Sequence, residues 1–166
     1  ILLSAKNEFT KSISVIGDVI KNGYHHGNMS AEKSLARLAK PFNVAGQLLE
    51  GDGFFGTHVS PSPSAARYTS VRINKDIRSI IDEYSHLNIV DEDENRLPLN
   101  IDVPIGLLLP VIGIAVGYRT LILPRKLSDL QNYISGKSKS CEPYFKDYPK
   151  KLYKKVTKED TSAWLF

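Results

Sequence analysis

The sequence predicts an α+β fold, a helix-turn-helix followed by a β wing, with an α/β segment beginning at about Gly113. Three observations carry this expectation. Apolar residues recur at helical spacing over residues 11–21 and again over 28–40, with a short turn between the two runs. A glycine-rich stretch, Gly51-Asp52-Gly53-Phe54-Phe55-Gly56, then leads into β-prone residues on either side of Pro61-Ser62-Pro63. Finally, residues 110–120 are apolar with two glycines, and Pro124 is placed to open a further helix. With 166 residues, 42% of them hydrophobic, the chain is long enough for one domain with a core and the start of a second.

The first helix carries Ile13, Ile16, Val19 and Ile20 as its expected buried stripe and closes at Asn22-Gly23, where glycine suits the left-handed conformation. The second, with Asn28 or Ser30 as N-cap, turns Leu35, Leu38 and Ala39 inward and breaks at Pro41. In a helix-turn-helix this second helix enters the major groove, with Lys33, Ser34, Arg37 and Lys40 facing phosphates or base edges. An exposed amphipathic helix with a solvated face is the plainer alternative. Strands at 57–59 and 67–73 would flank the Pro-Ser-Pro loop and complete a winged-helix arrangement. Asn74 then caps a helix to about Tyr84 that buries Ile77, Ile80 and Ile81. Asp91-Glu92-Asp93-Glu94 reads as a solvent loop, and Pro98 and Pro104 keep the next segment extended. A helix over 125–134 and a linker over 136–140 follow. The tail over 144–158 interleaves lysines with Tyr144, Tyr148 and Tyr153, as a DNA contact or as a soluble surface.

A net charge of +4 suits a polyanionic partner without requiring one. The single cysteine, Cys141, excludes an internal disulfide framework and a structural zinc site, and makes a reducing, intracellular compartment the default. The most apolar run, residues 105–116, is shorter than the ~20 residues of a spanning helix and is broken by Pro110 and Gly113, so no membrane anchor is expected. A start without Met and an end on Ala163-Trp164-Leu165-Phe166, like an interrupted strand, lead us to expect an excised fragment.

The chemistry concentrates at Arg67-Tyr68. A phenol has a pKa near 10, so at pH 7 only about one in a thousand is the nucleophilic phenolate, and positive charge or a base must lie close. Arg67 supplies a permanent charge for both the phenolate and a phosphate. Adjacent residues of an extended strand point to opposite faces, so the pair cooperates only where the chain bends. His26 is the candidate hydrogen-bond donor or general acid and base, with His25 directed elsewhere. Taken alone, the His-His pair would more simply cap a turn. No carboxylate or cysteine partners at metal-ligand spacing accompany it, so no metal site is expected.

Lys11-Ser12, the Gly17-Asp18-Val19-Ile20 helix, the His25-His26-Gly27 turn, Lys40-Pro41-Phe42, the glycine turn and Ala65-Ala66-Arg67-Tyr68-Thr69 occur in an order and spacing that resembles the breakage-reunion region of type IIA DNA topoisomerases, the family of the gyrase A protein. The resemblance covers roughly residues 11–134. It implies Tyr68 as the nucleophile that joins the 5′ end of a cut DNA strand, Arg67 as its neighbour and His26 as the catalytic histidine. It also implies DNA contacts at Lys11, Ser12, His25, Ser30, Lys33, Ser34, Arg37 and Lys40, and a wedge at Ile114 in Gly113-Ile114-Ala115-Val116-Gly117 that unstacks a base step. Without the resemblance, that last motif would read as a buried strand with packing glycines. Two domains are implied: a winged-helix DNA-binding and cleavage domain over 1–112, and the beginning of an α/β tower domain over 113–166.

The resemblance further implies an ATP-hydrolysing type II topoisomerase that works as a homodimer on double-stranded DNA. Mg2+ and ATP would both be bound outside this chain, on a metal-binding Toprim subunit or domain and an ATPase subunit or domain. By the same resemblance, the isolated chain binds DNA but does not cleave it. A non-catalytic winged-helix binder and a domain serving only to assemble the complex are the competing classes. Two departures stand out: Asp52 and Phe54 replace the amides of the family's usual Gly-Gln-Gly-Asn-Phe-Gly turn, and no proline separates the histidines. The plain His-His-Gly, with Gly117-Tyr118-Arg119-Thr120, is closer to T-even phage members than to cellular gyrases. The location expected is the cytoplasm, that of the host if the chain is phage-encoded.

Overall fold

The structure, a computed structural model, describes residues 1–41, 47–84, 102–146, 154–158 and 161–165, with Tyr84 and the last two segments described by backbone alone. Helix α1, Ser12–Lys21, buries Ser12, Val15, Ile16 and Val19. This corrects the expected stripe: Ile13 is 50% exposed, and the inward place one turn before Ile16 and Val19 is taken by Ser12. The Asn22 side-chain amide donates to the Asp18 carbonyl, closing the helix end before the turn. Helix α2, Asn28–Ala39, starts from Gly27 as N-cap without a side-chain cap, so neither Asn28 nor Ser30 caps it. Gly27 sits at φ 79°, a conformation costly for other residues, and the chain enters the helix from there. Ala31, Leu35, Ala36 and Ala39 form the buried face of α2.

Three short strands, β1 (Thr10–Lys11), β2 (Leu49–Asp52) and β3 (Ser70–Ile73), make an antiparallel sheet in the order β1-β3-β2. Leu49 pairs with Ile73, Asp52 with Ser70, and Lys11 with Ser70 on the other side. The strand expected at 57–59 is therefore displaced to β2. Leu48 and Leu49 are buried and pull the chain into the sheet there, whereas Val59 is 95% exposed in the connecting loop. The strand expected from Arg67 begins only at Ser70, because Ala66–Tyr68 form a single 3-10 turn. Helix α3, Lys75–Tyr84, is capped as expected: Asn74 Oδ1 accepts from the Asp76 amide at 2.9 Å, and Ile77, Ile80 and Ile81 are buried.

A 3-10 turn at Ile105–Leu108 precedes the hairpin of β4 (Val111–Ala115) and β5 (Tyr118–Ile122), in which Ile114 pairs with Arg119. Helix α4 spans Leu127–Ile134 and starts later than expected, because Arg125 is held in a β-bridge to Pro143 and its guanidinium donates to the Cys141 and Leu123 carbonyls. Strands β6 (Lys154–Lys158) and β7 (Thr161–Leu165) pair with each other. One core joins Val15, Leu35, Leu49, Val71, Ile73 and Ile77 with Leu108 and Leu130. Position 112/113 thus falls inside β4, and Leu130 beyond it packs on the same core. The expectations for residues 91–94, Pro98, Tyr148 and Tyr153 lie outside the described residues.

Candidate nucleic-acid interface

The 3-10 turn Ala66–Tyr68 is the bend that Arg67 and Tyr68 need in order to act together. Within it the Arg67 guanidinium carbon lies 4.7 Å from the centroid of the Tyr68 ring, a cation–π arrangement, while Tyr68 remains 66% exposed. A permanent charge and an accessible phenol are therefore presented together.

Two helices hold this turn. On its N-terminal side the Ala66 amide donates to Oε1 of Glu32 in α2 at 2.9 Å. On its C-terminal side the Thr69 hydroxyl donates to Ser12 Oγ at 2.8 Å, and the Ser12 amide donates to the Thr69 carbonyl at 3.0 Å. Ser12 and Thr69 are fully buried, so Ser12 is not placed to touch DNA. Its hydroxyl is too short to reach past the backbone of α1 and instead satisfies a buried partner beside the nucleophile.

The glycine turn lies behind the same feature. At Gly53, φ is +105°, and a Cβ there would meet Thr69 Cγ2 at 3.2 Å and the Tyr68 carbonyl oxygen at 3.4 Å. Glycine lets the loop lie against the backbone of the tyrosine turn, and the Ser64 amide, donating to the Phe54 carbonyl, closes the loop over it.

His25 and His26 are both exposed in the turn between α1 and α2. His26 packs edge-on against Tyr24, ring centroids 5.3 Å apart, rather than forming a pair with Tyr68. Tyr24 in turn shares a hydroxyl hydrogen bond of 2.8 Å with Ser30, which leaves Ser30 half-buried and engaged within the protein. Lys33, Ser34 and Arg37 stand exposed on α2, Lys40 is half-buried at its C-cap, and Lys11 is exposed in β1. Arg37 Nη2 also donates to the Pro110 carbonyl at 2.9 Å, tying α2 to the root of the β4–β5 hairpin. Ile114 is 85% exposed on that hairpin, which corrects the reading of the motif as a buried strand.

The family model for the A chain of DNA gyrase and topoisomerase IV matches residues 1–163. The protein belongs to this family. It is similar to the DNA topoisomerase medium subunit of Enterobacteria phage T4, 34% identical over 132 residues that cover 78% of this chain and 30% of that protein. It is also similar to the gyrase A protein of Haemophilus influenzae, 30% identical over 135 residues that cover 78% of this chain and 15% of that protein. The chain thus spans a minor part of the length of these relatives. In fold it resembles the Plasmodium falciparum topoisomerase II DNA-binding, cleavage and re-ligation domain, with a TM-score of 0.72 and 23% identity over 96% of this chain and 23% of the other. The mixed α/β architecture agrees with that likeness.

Magnesium takes oxygen ligands, chiefly carboxylates and water. Among the described residues of this gyrase A-family chain, no group of three or more His, Cys, Asp or Glu is gathered to hold a metal ion. Glu32 gives one of its oxygens to the Ala66 amide. The described residues therefore do not fit a magnesium site. Also among them, no helix is long and apolar enough to cross a membrane.

Sequence reasoning passed over Glu32, Tyr24 and the inward role of Ser12. The one available signal was Glu32 itself, an acid on a helix whose other charged positions are Lys33, Arg37 and Lys40.

Proposed function

We propose that this chain is the DNA-binding and strand-cleaving part of a type IIA topoisomerase, with Tyr68 as nucleophile. The observation that carries the reading is the exposed Tyr68 on a bent turn with the Arg67 guanidinium over its ring at 4.7 Å, in a chain of the gyrase A family. The Tyr68 Oη–P bond forms as the bond from phosphorus to the 3′ oxygen breaks. The phenolic proton leaves to a base and the departing 3′ oxygen takes one up, with His26 in the acid–base role. The product is a 5′-phosphotyrosyl link. It keeps one phosphodiester-like bond for the one broken, so resealing is the reverse step and consumes no ATP. Arg67 stabilises the charge that develops on the phosphate.

In this reading α1 and α2 form the helix-turn-helix and the β2–β3 hairpin the wing of a winged-helix domain over 1–112, and 113–166 opens a tower domain. The exposed Lys33, Ser34 and Arg37 face the major groove. Lys11, His25 and Lys40 add backbone contacts, Ile114 is the wedge, and Ser12 and Ser30 act from within the protein. The complete enzyme is an intracellular homodimer with one Tyr68 per strand. Partner regions supply a Toprim metal site for Mg2+ and an ATPase for strand passage, and the chain without them binds DNA but does not cleave it.

The test assembles the complete enzyme from its full-length chains with Mg2+, ATP and supercoiled DNA, and traps covalent protein–DNA complexes. Wild type is expected to form them and Tyr68→Phe to form none. Adducts with Tyr68→Phe would sink the reading, and DNA binding without adducts in wild type would favour the non-catalytic binder.

A further inference from the structure

We infer that Glu32 is a positioning residue for strand cleavage: its carboxylate, through the Ala66 amide, sets the turn that presents Tyr68. The inference rests on the reading of Tyr68 as nucleophile. A 3-10 turn of three residues has poor internal hydrogen-bond geometry and is a weak holder of an exposed side chain. Here its own bond runs from the Tyr68 amide to the Ala65 carbonyl, and its fixed points are Thr69, anchored on α1, and Ala66, anchored on α2. The Ala66 bond is charge-assisted, hence among the stronger kinds, and it crosses 34 residues of sequence.

Charge makes the case specific. Glu32 precedes Lys33 on the helix proposed to face phosphates, where a carboxylate repels DNA and costs affinity. A residue present only to keep α2 helical would be served as well by Gln, Lys or Ala. The carboxylate has a use there in holding the Ala66 amide. Arg37, five residues on, donates to the Pro110 carbonyl, so one rigid helix carries a tie to the tyrosine turn and a tie to the hairpin of Ile114. Glu32 thereby also holds Tyr68 in register with the helix that fixes the wedge.

The experiment uses the complete enzyme with Mg2+ and supercoiled DNA, and measures DNA affinity and the rate of covalent-complex formation separately for wild type, Glu32→Ala, Glu32→Gln, Glu32→Asp and Tyr68→Phe. Glu32→Ala is expected to bind DNA as tightly as wild type or more tightly, and to form the adduct about ten- to a hundredfold more slowly, the scale set by a misplaced reacting group. Glu32→Gln, which keeps an acceptor oxygen at the same reach, should recover to within about threefold of wild type. Glu32→Asp keeps the charge but withdraws the acceptor by a methylene, and should fall between them. It decides the matter if Glu32→Ala does not fold. Wild-type rates in Glu32→Ala and Glu32→Asp, a proportional loss of affinity and rate, or a Gln variant no better than Ala would each overturn the inference. No adduct from wild type, or adducts from Tyr68→Phe, would instead count against the nucleophile itself.

Discussion

The tyrosine turn and the β4–β5 hairpin are opposite solutions to holding a functional residue. Around Tyr68 nearly everything is anchored: Ala66 and Thr69 are buried, helices α1 and α2 each donate or accept a bond, and Gly53 lets a loop lie against the backbone. In the hairpin every residue of both strands is exposed, including Ile112, Ile114, Tyr118 and Leu121, and the Arg37 bond meets only its root. Attack on a phosphate tolerates little error in position, so the nucleophile is held by long-range contacts. Insertion between base steps needs apolar surface that is free to meet DNA, so the wedge is left bare.

Substitutions can break this contrast. The largest effect is expected in the anchored half: Leu35→Ala, in a side chain of α2 with 2% exposure, should cost about 2–5 kcal/mol in denaturant unfolding, against within about 0.5 kcal/mol for Val116→Ala in the bare hairpin. Arg67→Ala should slow adduct formation by about 10²–10³-fold in the complete enzyme while DNA affinity falls far less, as separate binding and trapping assays would show. Ser12→Ala leaves the buried Thr69 hydroxyl without its acceptor, and should lower stability by about 1–3 kcal/mol and cleavage with it. Were Ser12→Ala instead to reduce DNA affinity alone, the hydroxyl would be a phosphate contact after all. Ile114→Ala should leave stability within about 0.5 kcal/mol of wild type yet reduce DNA bending measured by fluorescence transfer. Least affected is Cys141, whose thiol pKa is pushed up by burial, against the Arg125 charge that lowers it. Its alkylation near neutral pH should be slower than that of the unfolded chain and speed up with rising pH.

Much of the framework was legible without coordinates because it is local. The period of apolar residues placed α1, α2 and α3, Asn74 announced a cap, and the Gly23 and Gly27 turns marked the helix ends. The pairing of Arg67 with Tyr68 was legible too, since their adjacency and the need for a bend together implied a turn. The errors fell where inward and outward faces compete. Ile13 is more apolar than Ser12, yet Ser12 occupies the inward place because the Thr69 hydroxyl requires a partner there. The second strand was expected too late because β-propensity at Thr57-His58-Val59 says nothing of which residues the core can bury, and the core takes Leu48 and Leu49.

By itself the sequence determined that two helices flank a tight turn, that a tyrosine carries an arginine beside it, and which family the order of motifs resembles. All of these are encoded within a few residues of one another, where periodicity and turn chemistry act. Only the tertiary structure decided that Glu32 holds Ala66 across 34 residues and Ser12 holds Thr69 across 57, and that the Arg67 guanidinium lies over the Tyr68 ring. It also decided that Ile114 stands bare. Those bonds form between segments that become neighbours once a shared core has packed, and no local propensity records which polar groups that packing brings together.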